Sequence, residues 1–379
     1  MSAAQPTTPA VPPVHTLVTG AFELEDGTIL PEVEQAYTLS GQVNEARDNV
    51  VLLLHSLTGS ADPSPTWGPL IGPGRPLDTD RYAVLAPNLL GSCYGTTRPP
   101  TGTRVTPRDM VRLVVRLVEA LDIRSIALAT GGSLGGMVAL EWLAHAGPRT
   151  RAGVVFAAPA AHTAQAIAFN HIQRRAVQLG QQAGTDEAVA AGLGLARMAA
   201  MLTYRSAAEF EARFGRTLQD SSEDPSYFAI QSYLDHQGRK FVERFDPESY
   251  LTLLDTMDAH DLTRGREGVA EALQAFAGPL VGVGVTGDLL YAPGDVRRWV
   301  DAVPGAEYRE IASLHGHDAF LLETEQVGSI LREILSASES PVRTRGPNVR
   351  ARESGVERPA DRGHSLRRSA QNRAAASGW

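Results

Sequence analysis

The 379-residue chain has a single cysteine, Cys93, which excludes an intramolecular disulfide and with it a disulfide-stapled secreted fold. A reducing, cytoplasmic setting fits this usage. No apolar run approaches the roughly 18 residues of a membrane-spanning helix. The first residues, MSAAQPTTPAVPPVH, lack the basic and apolar regions of a signal peptide. A net charge of −8 argues against a nucleic-acid-binding body. Disorder as the dominant state is excluded too, since 43% of residues are hydrophobic and 21% are charged. A chain of this length buries enough apolar surface to fold without a structural metal.

The charge that is present is unevenly placed. From Pro341 to Trp379 the chain holds nine arginines against three acids, so this end is +6 and the rest is −14. Residues 1–14, rich in Pro, Ala and Thr, are read as a flexible N-terminus, and residues 338–379 as a disordered basic tail. Between them, short apolar runs alternate with amphipathic stretches. Val50–Leu54 (VVLLL), Tyr82–Ala86, Ile126–Ala129, Val154–Ala158 and Leu280–Val285 have the continuous apolar character of strands covered on both faces. Thr106 is a good N-cap, with Pro107 at the first helical position and Asp109 placed for a capping box. The apolar residues that follow it recur at spacings of three and four. This alternation predicts a doubly wound α/β core over residues 15–160 and 270–337. From 161 to 269 Ala-, Gln- and Arg-rich helical stretches dominate. They predict a helical lid inserted over the C-terminal edge of the sheet, where ligands bind in such folds.

The most informative stretch is SIALATGGSLGGMVALEW, Ser125 to Trp142, which reads strand, tight turn, helix. Gly131-Gly132-Ser133-Leu134-Gly135 fits the G-x-S-x-G nucleophile elbow in its required context. A serine on so sharp a turn needs small neighbours. Its oxygen then projects at the start of a helix, whose dipole favours developing negative charge. A phosphate-binding loop is the rival reading, but neither the P-loop lysine nor the G-x-G-x-x-G spacing is present.

In the α/β-hydrolase fold the nucleophile is followed by an acid after a late strand and then by a histidine. Asp288 follows the Leu280–Val285 run. His315-Gly316-His317-Asp318 follows a last strand at Tyr308–Ile311 and precedes a helix from Val327 to Leu335. The predicted triad is Ser133, Asp288 and His317, the imidazole taking the serine proton and the carboxylate holding its tautomer. His315 and His317 as a metal pair is the alternative, weakened by the lack of further clustered ligands. The run Val50–Leu54 leads into His55-Ser56-Leu57, so the N–H groups of Leu57 and Leu134 are expected to form an oxyanion hole. His55 stands at the wrong chain position for the base and reads as a structural loop histidine.

These segments together resemble the homoserine O-acetyltransferase family. The likeness covers about residues 15–336 and rests on HSLTGS at His55–Ser60, NLLGSCYGTT at Asn88–Thr97, GGSLGGMVALEW at Gly131–Trp142, IAFNHIQRRA at Ile167–Ala176, SYLDHQGRKFVERFDPESY at Ser232–Tyr250 and HGHDAFL at His315–Leu321. It implies an α/β-hydrolase fold with a mostly parallel sheet flanked by helices and a helical lid. It also implies acetyl transfer from acetyl-CoA, as co-substrate, to L-homoserine, with no permanently bound cofactor. Succinyl-CoA as donor, serine as acceptor and plain ester hydrolysis are the alternatives on the same machinery. The resemblance further implies that Arg174 binds the amino-acid carboxylate, that Asp318 binds the α-amino group, and that the lid mediates a homodimer. Neither nucleic acid nor membrane is expected as a partner. Leu134, Val138 and Ser56 stand where the family has Met, Gln and Ala, and the lid is shortened around Gly180–Glu187.

Overall fold

In the computed structural model, which describes residues 12–219 and 226–339, the apolar runs form the centre of one sheet. The chain opens with β1 (Val14–Thr19), a two-stranded hairpin of β2 (Phe22–Glu23) and β3 (Ile29–Leu30), and β4 (Val33–Ser40). Then follow β5 (Val50–Leu54), β6 (Ala83–Pro87), α1 (Pro107–Ala120), β7 (Ile126–Gly132), α2 (Leu134–Ala146) and β8 (Gly153–Phe156). Five helices come next: α3 (Ala164–Ala183), α4 (Asp186–Tyr204), α5 (Ala207–Arg213), α6 (Ala229–Val242) and α7 (Pro247–Asp258). The chain returns through α8 (Val269–Ala272), β9 (Leu280–Val285), α9 (Pro293–Ala302), β10 (Glu307–Ile311), α10 (Ala319–Leu322) and α11 (Thr324–Glu339).

Eight strands form one sheet in the order β1-β4-β6-β5-β7-β8-β9-β10. The pairs from β6 to β10 are parallel, whereas β1 and β4 add antiparallel strands at one edge. Every residue of β5, β6, β7, β8 and β9 is buried, as their unbroken apolar sequences require of strands covered on both faces. β1 is mostly exposed on its edge and carries no such run, so the apolar pattern gave no sign of it. Val14 belongs to that strand rather than to a flexible end, and α11 runs on to Glu339, past the Ser338 boundary expected for the tail. Residues 1–11 and 340–379 of the two predicted terminal segments lie outside the described residues.

The helix after Thr106 begins as its sequence dictates. Thr106 Oγ1 accepts from the Asp109 N–H at 3.3 Å, and Asp109 Oδ2 accepts from the Thr106 N–H at 3.0 Å. α2 is apolar nearly all round and eleven of its thirteen residues are buried, so it is a core helix under the sheet. The 180–187 stretch takes in the end of α3, the two-residue link Gly184-Thr185 and the start of α4. Gly184 caps α3 at φ +76°, and the Thr185 hydroxyl accepts from the Ala188 N–H to start α4. Both helices can then pack closely. A Cβ added at Gly192 would lie 2.5 Å from the Ala176 carbonyl oxygen.

Candidate active site

β7 runs into α2 through one residue, Ser133, with φ 57° and ψ −126°. A non-glycine residue held there stores on the order of 1–3 kcal/mol of strain, which the packing around it must sustain. The flanking glycines make that packing possible. A Cβ at Gly135 would sit 2.1 Å from the Leu54 carbonyl oxygen, and one at Gly132 would sit 2.2 Å from the Phe320 ring. The turn is therefore pressed between the end of β5 and α10. Ser133 itself is 4% exposed.

Asp288 lies in the loop after β9. Its Oδ1 accepts two main-chain N–H groups, from Leu290 at 2.8 Å and Tyr291 at 2.9 Å. That leaves Oδ2 for His317, whose Nδ1 is 2.7 Å away. A carboxylate only accepts, so the imidazole proton sits on Nδ1 and Nε2 carries the lone pair. Nε2 is buried and has no hydrogen-bond partner among the described residues. Burial works against the imidazolium, but Asp288 and Asp318 outweigh it and raise the His317 pKa above its ordinary value.

Ser133 and His317 line one cavity of about 620 Å³ between the sheet edge and the inserted helices. Ser56, Leu57, Thr58, Asp318 and Phe320 are among the residues on the core side. Arg197 and Tyr204 of α4, with Gln237, Lys240 and Phe241 of α6 and Arg244 just beyond it, form the other. Leu57 thus reaches the cavity, and Leu134 is the first residue of α2, where a backbone N–H has no carbonyl one turn back. Asp318 also reaches it. Burial raises its pKa despite the opposing Arg205, His317 and Arg197, and Oδ2 is 3.2 Å from Arg205 Nε. Of the positions that depart from the family pattern, Ser56 faces the cavity, while Val138 is fully buried in α2.

Arg174, expected to bind the substrate carboxylate, sits apart from this cavity. Its guanidinium is held by Asp258 at 2.6 Å and Asp255 at 2.7 Å, both on α7. Two arginines face the cavity: Arg244, whose Nη1 donates to the Thr58 carbonyl and the Tyr94 hydroxyl, and Arg197, stacked over Tyr204 and Phe241, with a buried Nη1 that has no hydrogen-bond partner among the described residues. One signal was available in the sequence: Arg197 is the lone basic residue in the otherwise Ala-, Leu- and Met-rich α4. The two rival histidines separate. His315 is 3.2 Å from Glu209, away from Asp288. His55 is a structural residue: Nδ1 donates to the Ser56 carbonyl at 2.8 Å and Nε2 accepts from the Leu89 N–H at 3.0 Å. Burial pushes its pKa down to about 4.

This elbow, acid loop and histidine, in that chain order on this sheet, define an α/β-hydrolase-fold protein, and a family model for the alpha/beta hydrolase fold matches residues 49–324. Relatives narrow it. The chain is 43% identical over 345 residues to a homoserine O-acetyltransferase of Thermobifida fusca (strain YX), covering 83% of this chain and 91% of that protein. It therefore belongs to the homoserine O-acetyltransferase family. A crystal structure of homoserine o-acetyltransferase from Staphylococcus aureus superposes with a TM-score of 0.71 at 30% identity, over 85% of this chain and 95% of that one. An acetylester hydrolase from Corynebacterium glutamicum superposes at 0.73 with 23% identity, over 86% and 96%, a likeness of fold alone.

Proposed function

We propose that this chain moves an acetyl group from acetyl-CoA to the hydroxyl of L-homoserine, giving O-acetyl-L-homoserine and CoA, by a ping-pong route through Ser133. His317 Nε2 takes the Ser133 proton as the oxygen attacks the thioester carbonyl. The N–H groups of Leu57 and Leu134 hold the oxyanion, and the imidazolium returns its proton to the departing thiolate. The acceptor then binds with its carboxylate on Arg197, which offers a planar fork, and its ammonium on Asp318. Its hydroxyl loses a proton to His317 and takes the acetyl group, and the imidazolium gives that proton back to the Ser133 oxygen as it leaves. Acetyl-CoA is a co-substrate, and no resident cofactor enters this route.

The observation that carries this reading is the sharing of one cavity by Ser133, His317 and the Arg197–Asp318 pair. A simple esterase has no use for a cation and a carboxylate placed to clamp an amino acid. The inserted helices over the cavity would exclude water, which the same triad would otherwise use to hydrolyse the acyl-enzyme. The test is thiol release from acetyl-CoA and succinyl-CoA, each with homoserine, with serine and alone. Continued release from acetyl-CoA that depends on homoserine is expected; release beyond one equivalent per enzyme with no amino acid present would make the chain a hydrolase. Acetyl-CoA alone should leave one acetyl group on Ser133 by intact mass, and Ser133→Ala should abolish both adduct and turnover.

The lid is also proposed to form a homodimer. Ile172 and Leu179 on α3, and Leu195 and Leu202 on α4, are spaced by seven residues and 48–59% exposed. Such apolar stripes on paired helices suit a second copy. Sedimentation as a monomer at micromolar concentration would overturn this. Among the described residues no helix is long and apolar enough to cross a membrane, and a cytoplasmic location is part of the same proposal.

A further inference from the structure

Behind the cavity a second line of polar side chains joins the lid to the loop that carries Asp288. It begins with Arg174, held by Asp255 and Asp258 on α7. Asn170 Nδ2 donates to Asp258 Oδ1 at 2.8 Å, and the same oxygen is 3.1 Å from His162 Nδ1. His162 Nε2 is 3.0 Å from the Tyr291 hydroxyl. Because Asp258 can only accept, His162 carries its proton on Nδ1, and Tyr291 donates to Nε2. Tyr291 closes the line at the triad. Its N–H donates to Asp288 Oδ1, and its ring packs edge-on against His317 with centroids 5.3 Å apart. A parallel tie runs from Gln165 Nε2 on α3 to the Leu289 carbonyl at 3.2 Å.

The His162 side chain and Tyr291 are fully buried, and neither lines the cavity. Burying such groups is costly unless each is satisfied, and a satisfied network fixes one arrangement in place of several. We propose that Tyr291, His162 and Asp258, anchored by Arg174, are positioning residues for the acyl transfer. They hold the 288–291 loop so that Asp288 stays aimed at His317, and they couple that aim to the seating of the lid. This rests on the reading of Ser133, His317 and Asp288 as the triad.

His317 is faced by Asp288 and Tyr291 from the acid loop, by Asp318 beside it, and by Tyr204 from α4, with Arg197 and Arg205 next to Asp318. Burial disfavours its imidazolium, and Asp288 is the main group that favours it. A slackened Asp288 would lower the His317 pKa, so the acid limb of kcat/KM would move to lower pH. A purely structural defect would lower the melting temperature and leave that limb in place.

Tyr291→Phe keeps the ring and the N–H and removes only the hydroxyl. Its kcat should fall about fivefold, the rate equivalent of one ordinary hydrogen bond, with both KM values within about twofold of wild type and the acid limb moved to lower pH. Arg174→Ala, at the outer end, should act in the same direction and combine with Tyr291→Phe less than additively. Wild-type kcat and limb in Tyr291→Phe would overturn the proposal, as would a loss confined to melting temperature. So would an Arg174→Ala enzyme with raised KM for homoserine and unchanged kcat, which would return Arg174 to substrate binding. Acylation by p-nitrophenyl acetate, run in parallel, needs the triad but neither CoA nor homoserine. If acetyl transfer between those two failed in the wild type, the limb measured with the ester would still decide the positioning role.

Discussion

Replacing Asp288 by Asn tests the triad geometry most sharply, because the structure dictates how the amide must sit. Oδ1 accepts from the N–H groups of Leu290 and Tyr291. Turning the amide so that its NH2 met those two donors would leave three donating groups facing one another in a buried site, so the Asn oxygen must stay there. The NH2 then occupies the place of Oδ2, 2.7 Å from His317 Nδ1. An NH2 can only donate, so Nδ1 must accept and the imidazole proton moves to Nε2. The atom that should take the serine proton now carries one. The main-chain hydrogen bonds survive, so the fold should survive with them. For a triad set in the wrong tautomer the expected loss in turnover is about 10⁴-fold, equivalent to about 5 kcal/mol of transition-state stabilisation. The assay is single-turnover acylation from acetyl-CoA, followed by intact mass, with circular dichroism to check the fold. A folded Asp288→Asn protein that acylates within about tenfold of wild type would refute the assignment of Asp288 as the orienting acid.

Arg197→Ala should raise KM for homoserine by about 10- to 100-fold, the usual range for losing a hydrogen-bonded charge, with little change in KM for acetyl-CoA; steady-state kinetics with both substrates varied would show it. Gly135→Ala should give little folded protein, because the new Cβ meets the Leu54 main chain at 2.1 Å and backbone cannot swing aside; melting temperature and soluble yield read this out. Burial pushes the pKa values of His55 and His260 down to about 4 from 6.5. The unfolded chain therefore binds more protons over that window, and stability present above pH 6.5 is lost as pH falls toward 4, on the order of 3 kcal/mol per histidine. Thermal melts from pH 7 to 4 should show the decline, and His260→Gln should flatten it; an unchanged slope in that variant would count against the cause.

Much of the site was legible in the sequence because its logic is local or ordinal. A strand that ends in Gly-Gly-Ser-Leu-Gly and continues as a helix must turn at Ser133, and only small neighbours fit that turn. Asp288 after a buried strand and His317 before the last helix follow from chain order. The strands of the central sheet announced themselves as unbroken apolar runs, since a strand covered on both faces has no polar side to show. β1, an exposed edge, and β4, whose VEQAYTLS sequence holds no such run, did not.

What the sequence could not decide was which of Arg174 and Arg197 faces the cavity. Arg174 and Arg197 both sit on helices whose local pattern fits either role. The choice depends on how α3 and α4 fold back on each other at Gly184 and how α7 then lies beside α3. In the folded chain α7 brings Asp255 and Asp258 to Arg174, while α4 turns Arg197 toward Ser133 and Asp318. The line from Arg174 through His162 to Tyr291 likewise joins residues more than a hundred positions apart. Periodicity fixes which face of a helix is apolar, but only packing between distant helices decides which charged group that face carries into the cavity.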